Sequence, residues 1–211
     1  MFITLEGIEG SGKTTQLEHI VDYLKGRGCE YIVTREPGGT RIGKKIRAIL
    51  LDPDSRELYP MAELLLYMAD RSQHINEVVI PHLASGKIVL CDRYYDATLV
   101  YQGYARGIDI EIIQRLHRWV LKDLKPNVTI LLDLEPQIGL KRAWKEIDRG
   151  TRTGLETRFE KETLRFHKKV RAGYLTLARN DPDRFEVVDA SQNERQVRER
   201  IIHILDRKIT E

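Results

Sequence analysis

Cysteine is nearly absent from this 211-residue chain. Cys29 and Cys91 are the only two, with no CxxC pair and no Cys/His cluster at metal-ligand spacing. A disulfide framework and a structural zinc site are therefore excluded, and both thiols read as reduced residues in or beside buried strands. Long apolar runs are missing too: none approaches the ~20 residues that cross a bilayer. Charge of one sign is also scarce, since 35 Lys and Arg stand against 32 Asp and Glu, a net +3. So small a bias argues against nucleic acid or membrane as a partner, and any functional positive charge must be local. The chain opens Met1-Phe2-Ile3-Thr4-Leu5-Glu6 with no basic-then-apolar leader, so a cytoplasmic location is expected. There is no internal repeat or low-complexity tract, and the six histidines are too scattered to be given a role.

What is present is alternation. Short apolar runs at Phe2–Leu5, Tyr31–Thr34, Ile88–Cys91, Val128–Leu134 and Phe185–Val188 are separated by longer helical patterns. Continuous apolar strands are those covered on both faces, as in parallel sheets. Helical stripes run through Ile112, Ile113, Leu116, Trp119 and Val120, through Phe166, Val170, Tyr174 and Leu177, and through Val197, Ile201, Ile202 and Leu205. Each stripe is expected to pack into the core. The order implies a single α/β three-layer domain over residues 1–211, with a five-stranded parallel sheet flanked by helices. One polar stretch, residues 146–158, carries two glycines with Arg149, Arg152 and Arg158, and is expected to form a short lid.

Gly7-Ile8-Glu9-Gly10-Ser11-Gly12-Lys13-Thr14 matches G-x-x-x-x-G-K-[ST]. It sits between the first predicted strand and a helix with Leu17, Ile20, Val21 and Leu24 on one face, the context that a P-loop NTPase fold requires. Glycines let backbone N–H groups converge on phosphate without Cβ obstruction, and the helix N-terminus adds partial positive charge. Gly7, Gly10, Ser11, Gly12, Lys13, Thr14 and Thr15 are thus the expected ATP-binding segment. Lys13 would charge-pair the β/γ-phosphates, with the Thr14 hydroxyl a ligand of Mg²⁺. The metal also needs a carboxylate at a neighbouring strand end. Asp92 and Asp133 both close apolar runs, and Asp92 is favoured because Arg93 follows it. Asp133 is expected to organise the lid hinge or cap the helix after Pro136.

Neither the GTPase base-reading motif N-K-x-D nor the transporter signature L-S-G-G-Q occurs, and a helicase core needs a longer chain. A small kinase remains. A nucleoside monophosphate has a second phosphate pKa near ~6, so at neutral pH it is already an anionic nucleophile and needs no general base. The obstacle is repulsion between two anions, which cations must cancel. Arg35 ends the second strand, Arg71 lies in a long helix, Arg93 follows Asp92, and Arg149, Arg152 and Arg158 populate the lid.

Several segments resemble the thymidylate kinases: Arg35-Glu36-Pro37-Gly38-Gly39-Thr40, the helix from Met61 to Arg71, Asp92-Arg93-Tyr94, Tyr101-Gln102-Gly103 and Val188-Asp189-Ala190-Ser191. The resemblance covers nearly the whole chain. It implies Mg²⁺-dependent transfer of the ATP γ-phosphate to dTMP, giving dTDP in dTTP synthesis, by a homodimer. It further implies that Glu9 contacts the sugar 3′-hydroxyl, Tyr67 stacks on thymine and Arg71 bonds its carbonyl edge. Arg35 and Arg93 would hold the acceptor phosphate, and Tyr101 would pack against C2′. Thr98 and Gln102 would line the base pocket, with Asp189, Ala190 and Gln192 near adenine. Without the resemblance, Tyr67 and Tyr101 would read as core aromatics. Ala97 stands where the family often has Ser, and no Arg lies between Ile8 and Ser11, which is similar to the subclass whose catalytic arginine is in the lid. The competing readings are a kinase for another nucleotide or deoxynucleoside, and a nucleotide-binding module without catalysis.

Overall fold

The computed structural model describes residues 1–55, 57–150 and 154–210. In chain order it runs β1 (Phe2–Gly7), α1 (Lys13–Gly26), β2 (Tyr31–Arg35), α2 (Arg41–Leu51) and α3 (Pro60–His74). A π-helical turn (Ile75–Val79) leads into α4 (Ile80–Ala84), then β3 (Ile88–Asp92) and α5 (Tyr95–Thr98). A second π-helical segment (Leu99–Ala105) is followed by α6 (Ile110–Leu121), β4 (Val128–Asp133), α7 (Pro136–Asp148), a 3₁₀ turn (Gly154–Glu156), α8 (Leu164–Asn180), β5 (Phe185–Asp189) and α9 (Glu194–Thr210). All five expected strands form, in one wholly parallel sheet of order β2-β3-β1-β4-β5.

Successive residues of the central strands point to opposite faces, and both faces are apolar. Ile3, Leu5, Leu90 and Ile130 join Ile20 and Leu24 of α1, Val170 and Tyr174 of α8, and Ile201 and Leu205 of α9 in one cluster. Phe2, Val89 and Cys91 join Leu64 and Met68 of α3 with Ile113 and Leu121 of α6 in the other. Full burial of each such side chain stabilises the fold by about 1.5–3 kcal/mol. Covering is incomplete at the sheet margins, where Val33 on β2 and Val187 on β5 stay exposed because an edge strand has only one strand neighbour.

Local sequence starts the helices. The Thr40 side chain accepts from the Gly43 N–H at α2, Asp109 from Glu111 at α6, and Thr163 from Phe166 at α8, while Pro60 and Pro136 open α3 and α7 where a missing N–H costs nothing. One expected stripe needs correction. In α6 the buried residues are Ile113, His117 and Leu121, whereas Ile112 is exposed and Trp119 is 84% exposed. The inward face is centred one position away from the apolar stripe. Among the described residues no helix is long and apolar enough to cross a membrane.

The register brings the strand ends level. Leu5 pairs with Asp92, Arg35 with Asp92, and Asp133 with Asp189. Arg35, Asp92, Asp133 and Asp189 therefore share the carboxyl-terminal edge of the sheet, where open α/β sheets place their ligands.

Candidate active site

The loop between β1 and α1 is shaped by glycine. Gly10 and Gly12 have φ of 67° and 91°, the left-handed region that side chains with a Cβ avoid. Gly12 is the N-cap of α1 and no side chain caps it, so the first N–H groups of the helix face outward as donors. The loop also rests on α7 by backbone contact. A Cβ at Gly10 would lie 2.0 Å from the Gly139 carbonyl oxygen, and one at Gly139 would lie 2.4 Å from that of Glu9. Sequence reading missed Gly139, although a glycine inside a helical pattern often marks such an approach.

Lys13 Nζ folds over this loop, donating to the carbonyls of Gly7 (3.0 Å) and Ile8 (2.9 Å). Burial, helped by the nearby Arg93 charge, lowers its pKa to about 8. A cavity of about 470 Å³ extends from here, and residues 9–15 form its donor end. Arg35, Tyr67, Arg71, Asp92, Arg93, Thr98, Tyr101 and Gln102 line the same cavity. Residues far apart in sequence thus meet in one space. Ala97 also borders it, with the Thr98 hydroxyl next to it occupied by Arg71.

The cationic side chains are held by buried acceptors. Arg71 is 1% exposed; its Nε donates to Glu36 Oε2 (2.7 Å), and its terminal nitrogens donate to Thr98 Oγ1 (2.9 Å) and the Tyr94 carbonyl (3.2 Å). His74 Nδ1 lies 2.8 Å from the other Glu36 oxygen. Burial works to raise Glu36, but Arg71 and His74 outweigh it and hold the carboxyl below its usual range. His117 Nε2 faces Arg71 at 3.2 Å, and burial together with that cation drops its pKa to about 2, so it stays neutral. Arg93, itself at φ 67°, reaches Glu9 Oε1 (3.1 Å) and the Tyr174 hydroxyl (3.1 Å) and lies over the Tyr101 ring. The Tyr101 hydroxyl donates to the same Glu9 oxygen at 2.5 Å. Burial opposes ionisation of Glu9, but His167, Arg93 and Lys13 prevail and hold it well below the usual carboxylate range. Glu6, beneath them, is pushed by burial up to about 7 while accepting from the Tyr94 N–H and the Tyr174 hydroxyl.

The expected lid is only partly a loop. Its first residues belong to the last turn of α7, and Arg149 is exposed at that helix end, off the cavity wall. Arg152 lies outside the described residues. Arg158 turns away from the cavity into the interior, paired with Glu63 of α3 at 2.6 Å and donating to the carbonyls of Ser55 and Leu50. Facing the cavity from this region are Glu146 and Glu156 instead, the latter bidentate to Arg47 of α2 at 2.9 and 2.7 Å. Asp133 does not cap α7; it clamps Arg171 of α8 at 2.7 and 2.9 Å. Asp189, Ala190 and Gln192 stand off the cavity wall, with Asp189 accepting from Ser191 and Gln192, and the Ala190 carbonyl accepting from Arg142.

For a cation, the fitting group is Asp92. Its Oδ1 is buried with no hydrogen-bond partner, and Asp92 lines the same cavity as residues 13–15. Such an orphaned carboxylate oxygen is costly unless something takes it up. Among the described residues no cluster of three or more His, Cys, Asp or Glu could hold a metal alone. Mg²⁺ shared with phosphates needs only one or two protein oxygens, so Asp92 with Thr14 fits it.

A glycine loop at the end of the central strand, a lysine over it and an arginine-rich acceptor pocket on the same sheet edge define a P-loop phosphotransferase. Comparison with known proteins narrows the class. The sequence model of the thymidylate kinase family matches residues 5–201. The chain is 54% identical over 207 residues to the thymidylate kinase of Desulfosudis oleivorans, covering 98% of this chain and 97% of that protein. It is 57% identical over 209 residues to that of Desulforapulum autotrophicum, covering 99% and 92%. The crystal structure of thymidylate kinase from Ehrlichia chaffeensis superposes with a TM-score of 0.76 at 33% identity, over 97% of this chain and 98% of that one. This chain belongs to the thymidylate kinase family.

Proposed function

We propose that this chain transfers the γ-phosphate of ATP to dTMP, giving ADP and dTDP, in the cytoplasm. The observation that carries the reading is the single cavity joining the glycine loop at residues 9–15 to Arg35, Tyr67, Arg71 and Arg93. Two nucleotides entering from opposite ends would meet phosphate to phosphate there. ATP phosphates would take the N–H groups of the loop and of the α1 start. Asp189, Ala190 and Gln192 would border the adenine. Lys13 would exchange its loop carbonyls for phosphate oxygens, a move suited to a charge held in place only by neutral acceptors. Asp92 and Thr14 would hold Mg²⁺, which when bound offsets the charge of the triphosphate.

The acceptor phosphate is its own nucleophile, so the protein's work is alignment and charge cancellation. Arg35 and Arg93 would grip it, Arg93 from a position fixed by Tyr174 and Glu9. Arg71 and Thr98 would read the thymine edge under Tyr67, with Gln102 behind them. Glu9 would accept from the 3′-hydroxyl, and Tyr101 would crowd the 2′ position. Arg149 and Arg152 are the candidates for a lid contact with the transferring group; Arg158 is engaged with Glu63. The lid, residues 146–158, would close over the phosphates as part of one domain.

Apolar residues left outside on two packed helices, Met61 and Leu65 on α3 with Ile112 and Trp119 on α6, support a homodimer through that face, checked by sedimentation of the W119E variant. The activity is tested by coupled ADP release with dTMP, dUMP, dCMP, UMP and thymidine in turn. Preference for another acceptor sinks the assignment, as does an R93A variant that is folded and turns over like the parent.

A further inference from the structure

His167 was given no role from the sequence, yet it occupies the interior just behind Glu9. It lies on the first turns of α8, is fully buried, and neither of its ring nitrogens makes a hydrogen bond. Nδ1 is 3.1 Å from Glu9 Oε2, inside ion-pair range but bent away from a good hydrogen-bond angle. The neighbouring Phe166 ring meets the imidazole edge-on at 5.6 Å. The two oxygens of Glu9 are consequently unlike. Oε1 is taken by Tyr101 and Arg93, while Oε2 has no hydrogen-bond partner and only His167 beside it.

A buried carboxylate oxygen without a donor is expensive, so whatever sits against Oε2 on its interior side governs how the Glu9 carboxylate is oriented. Glu9 lines the cavity and His167 does not. We infer that His167 is a positioning residue for sugar recognition: from behind, its Nδ1 edge pins the buried Glu9 Oε2 and so fixes the aim of the carboxylate at the acceptor's 3′-hydroxyl. This rests on the assignment of Glu9 to the sugar. An ionised Glu9 can only accept, so Nδ1 must be the protonated nitrogen in this contact, and a residue with a donor at the same place should replace it.

The test compares H167L, which removes the donor, with H167N, whose amide nitrogen sits near the Nδ1 position. Each is assayed with dTMP and with its 3′-deoxy analogue, after thermal melting confirms folding. For H167L, kcat/KM with dTMP should fall by roughly 10-fold, the order of one charge-assisted hydrogen bond, mostly through KM. The analogue and the KM for ATP should hardly change, so discrimination between the two acceptors shrinks. H167N should keep the parent's discrimination. An H167L variant that discriminates like the parent, an equal fall for both acceptors, or a folded H167N that loses discrimination overturns the inference. The E9A variant, which removes the acceptor, run in parallel separates the two assignments. If it keeps discrimination, the Glu9–sugar contact is wrong and the role of His167 goes with it. If it loses discrimination while H167L does not, the role of His167 alone is rejected.

Discussion

Replacing Glu36 by alanine should be among the most damaging single changes outside the apolar core. The Glu36 and Arg71 side chains are 2% and 1% exposed and lie 2.7 Å apart. Without Glu36, Arg71 keeps only neutral acceptors, Thr98 Oγ1 and the Tyr94 carbonyl. Removing one partner of a buried pair strands the other charge and costs about 3–5 kcal/mol. In a chain of this size each kcal/mol moves the melting temperature by ~2–4 °C, so a drop on the order of 6–20 °C is expected. Replacing both residues, as E36A/R71M, removes the stranded charge and should cost less than the sum of the singles by about 2 kcal/mol. The pH dependence has a definite sign. The folded carboxyl lies below its ordinary 4.5, so its contribution is complete above that pH and is lost as the pH falls through the depressed value. The gap between parent and E36A should therefore be constant at neutral pH and close in acid. Urea titrations from neutral pH into acid measure it. A loss under ~1 kcal/mol, or strict additivity in the double variant, would refute the idea that Arg71 depends on Glu36 for its place.

Three further outcomes can be checked. Glu6 has its pKa raised to about 7, so it favours the fold below 4.5 and that favour is lost as pH rises through 7. E6Q should abolish roughly 3 kcal/mol of this decline, and a parent curve that is flat over that window would contradict the burial argument. G139A should raise the KM for ATP by on the order of 10-fold, because its Cβ would press on the Glu9 carbonyl at 2.4 Å and displace the loop; an unchanged KM means the loop and α7 are not rigidly coupled. R158A should cost about 1.5–3 kcal/mol of stability by removing one charge-assisted hydrogen bond from Glu63, which keeps Arg106 and Gln102, with turnover at saturating substrate falling by less than about 10-fold; a fall near ~10³ would instead mark a phosphate contact.

The sheet was readable because parallel strands are buried on both faces and announce themselves as unbroken apolar runs. The glycine loop was readable because its chemistry is local in sequence. What escaped was assembled at long range. Glu36 and His74 are separated by 38 positions and Arg71 and His117 by 46, and no periodicity links them. Scattered histidines looked idle, yet His74, His117 and His167 each face a buried carboxylate or guanidinium. The outward turn of Trp119 was hidden for a different reason. An apolar stripe fixes a helix's rotation only to within about one residue, so Trp119 at its margin turns outward while His117 turns in. An arginine in a polar stretch, such as Arg158, looks the same in sequence whether it will reach a phosphate or a buried glutamate.

The buried carboxylates explain why this site tolerates so many cations. Glu6, Glu9, Glu36 and Glu63 are all inside, and each meets a group that shapes the cavity: Tyr174, Arg93, Arg71 and Gln102. Positive charge packed this densely without counter-charge would repel itself, and flexible arginines would have to be ordered at the moment of binding. Here the ordering is done during folding, and the donors wait in fixed directions. The arrangement works only if the carboxylates do not cancel the field at the phosphate. That condition is met by layering. Arg93 lies on the cavity wall and Glu6 does not, and Arg93 shares Glu9 Oε1 with the Tyr101 hydroxyl while its guanidinium lies over the Tyr101 ring. A carboxylate in front of the arginine would compete with the acceptor phosphate; one behind or beside it only aims the donor.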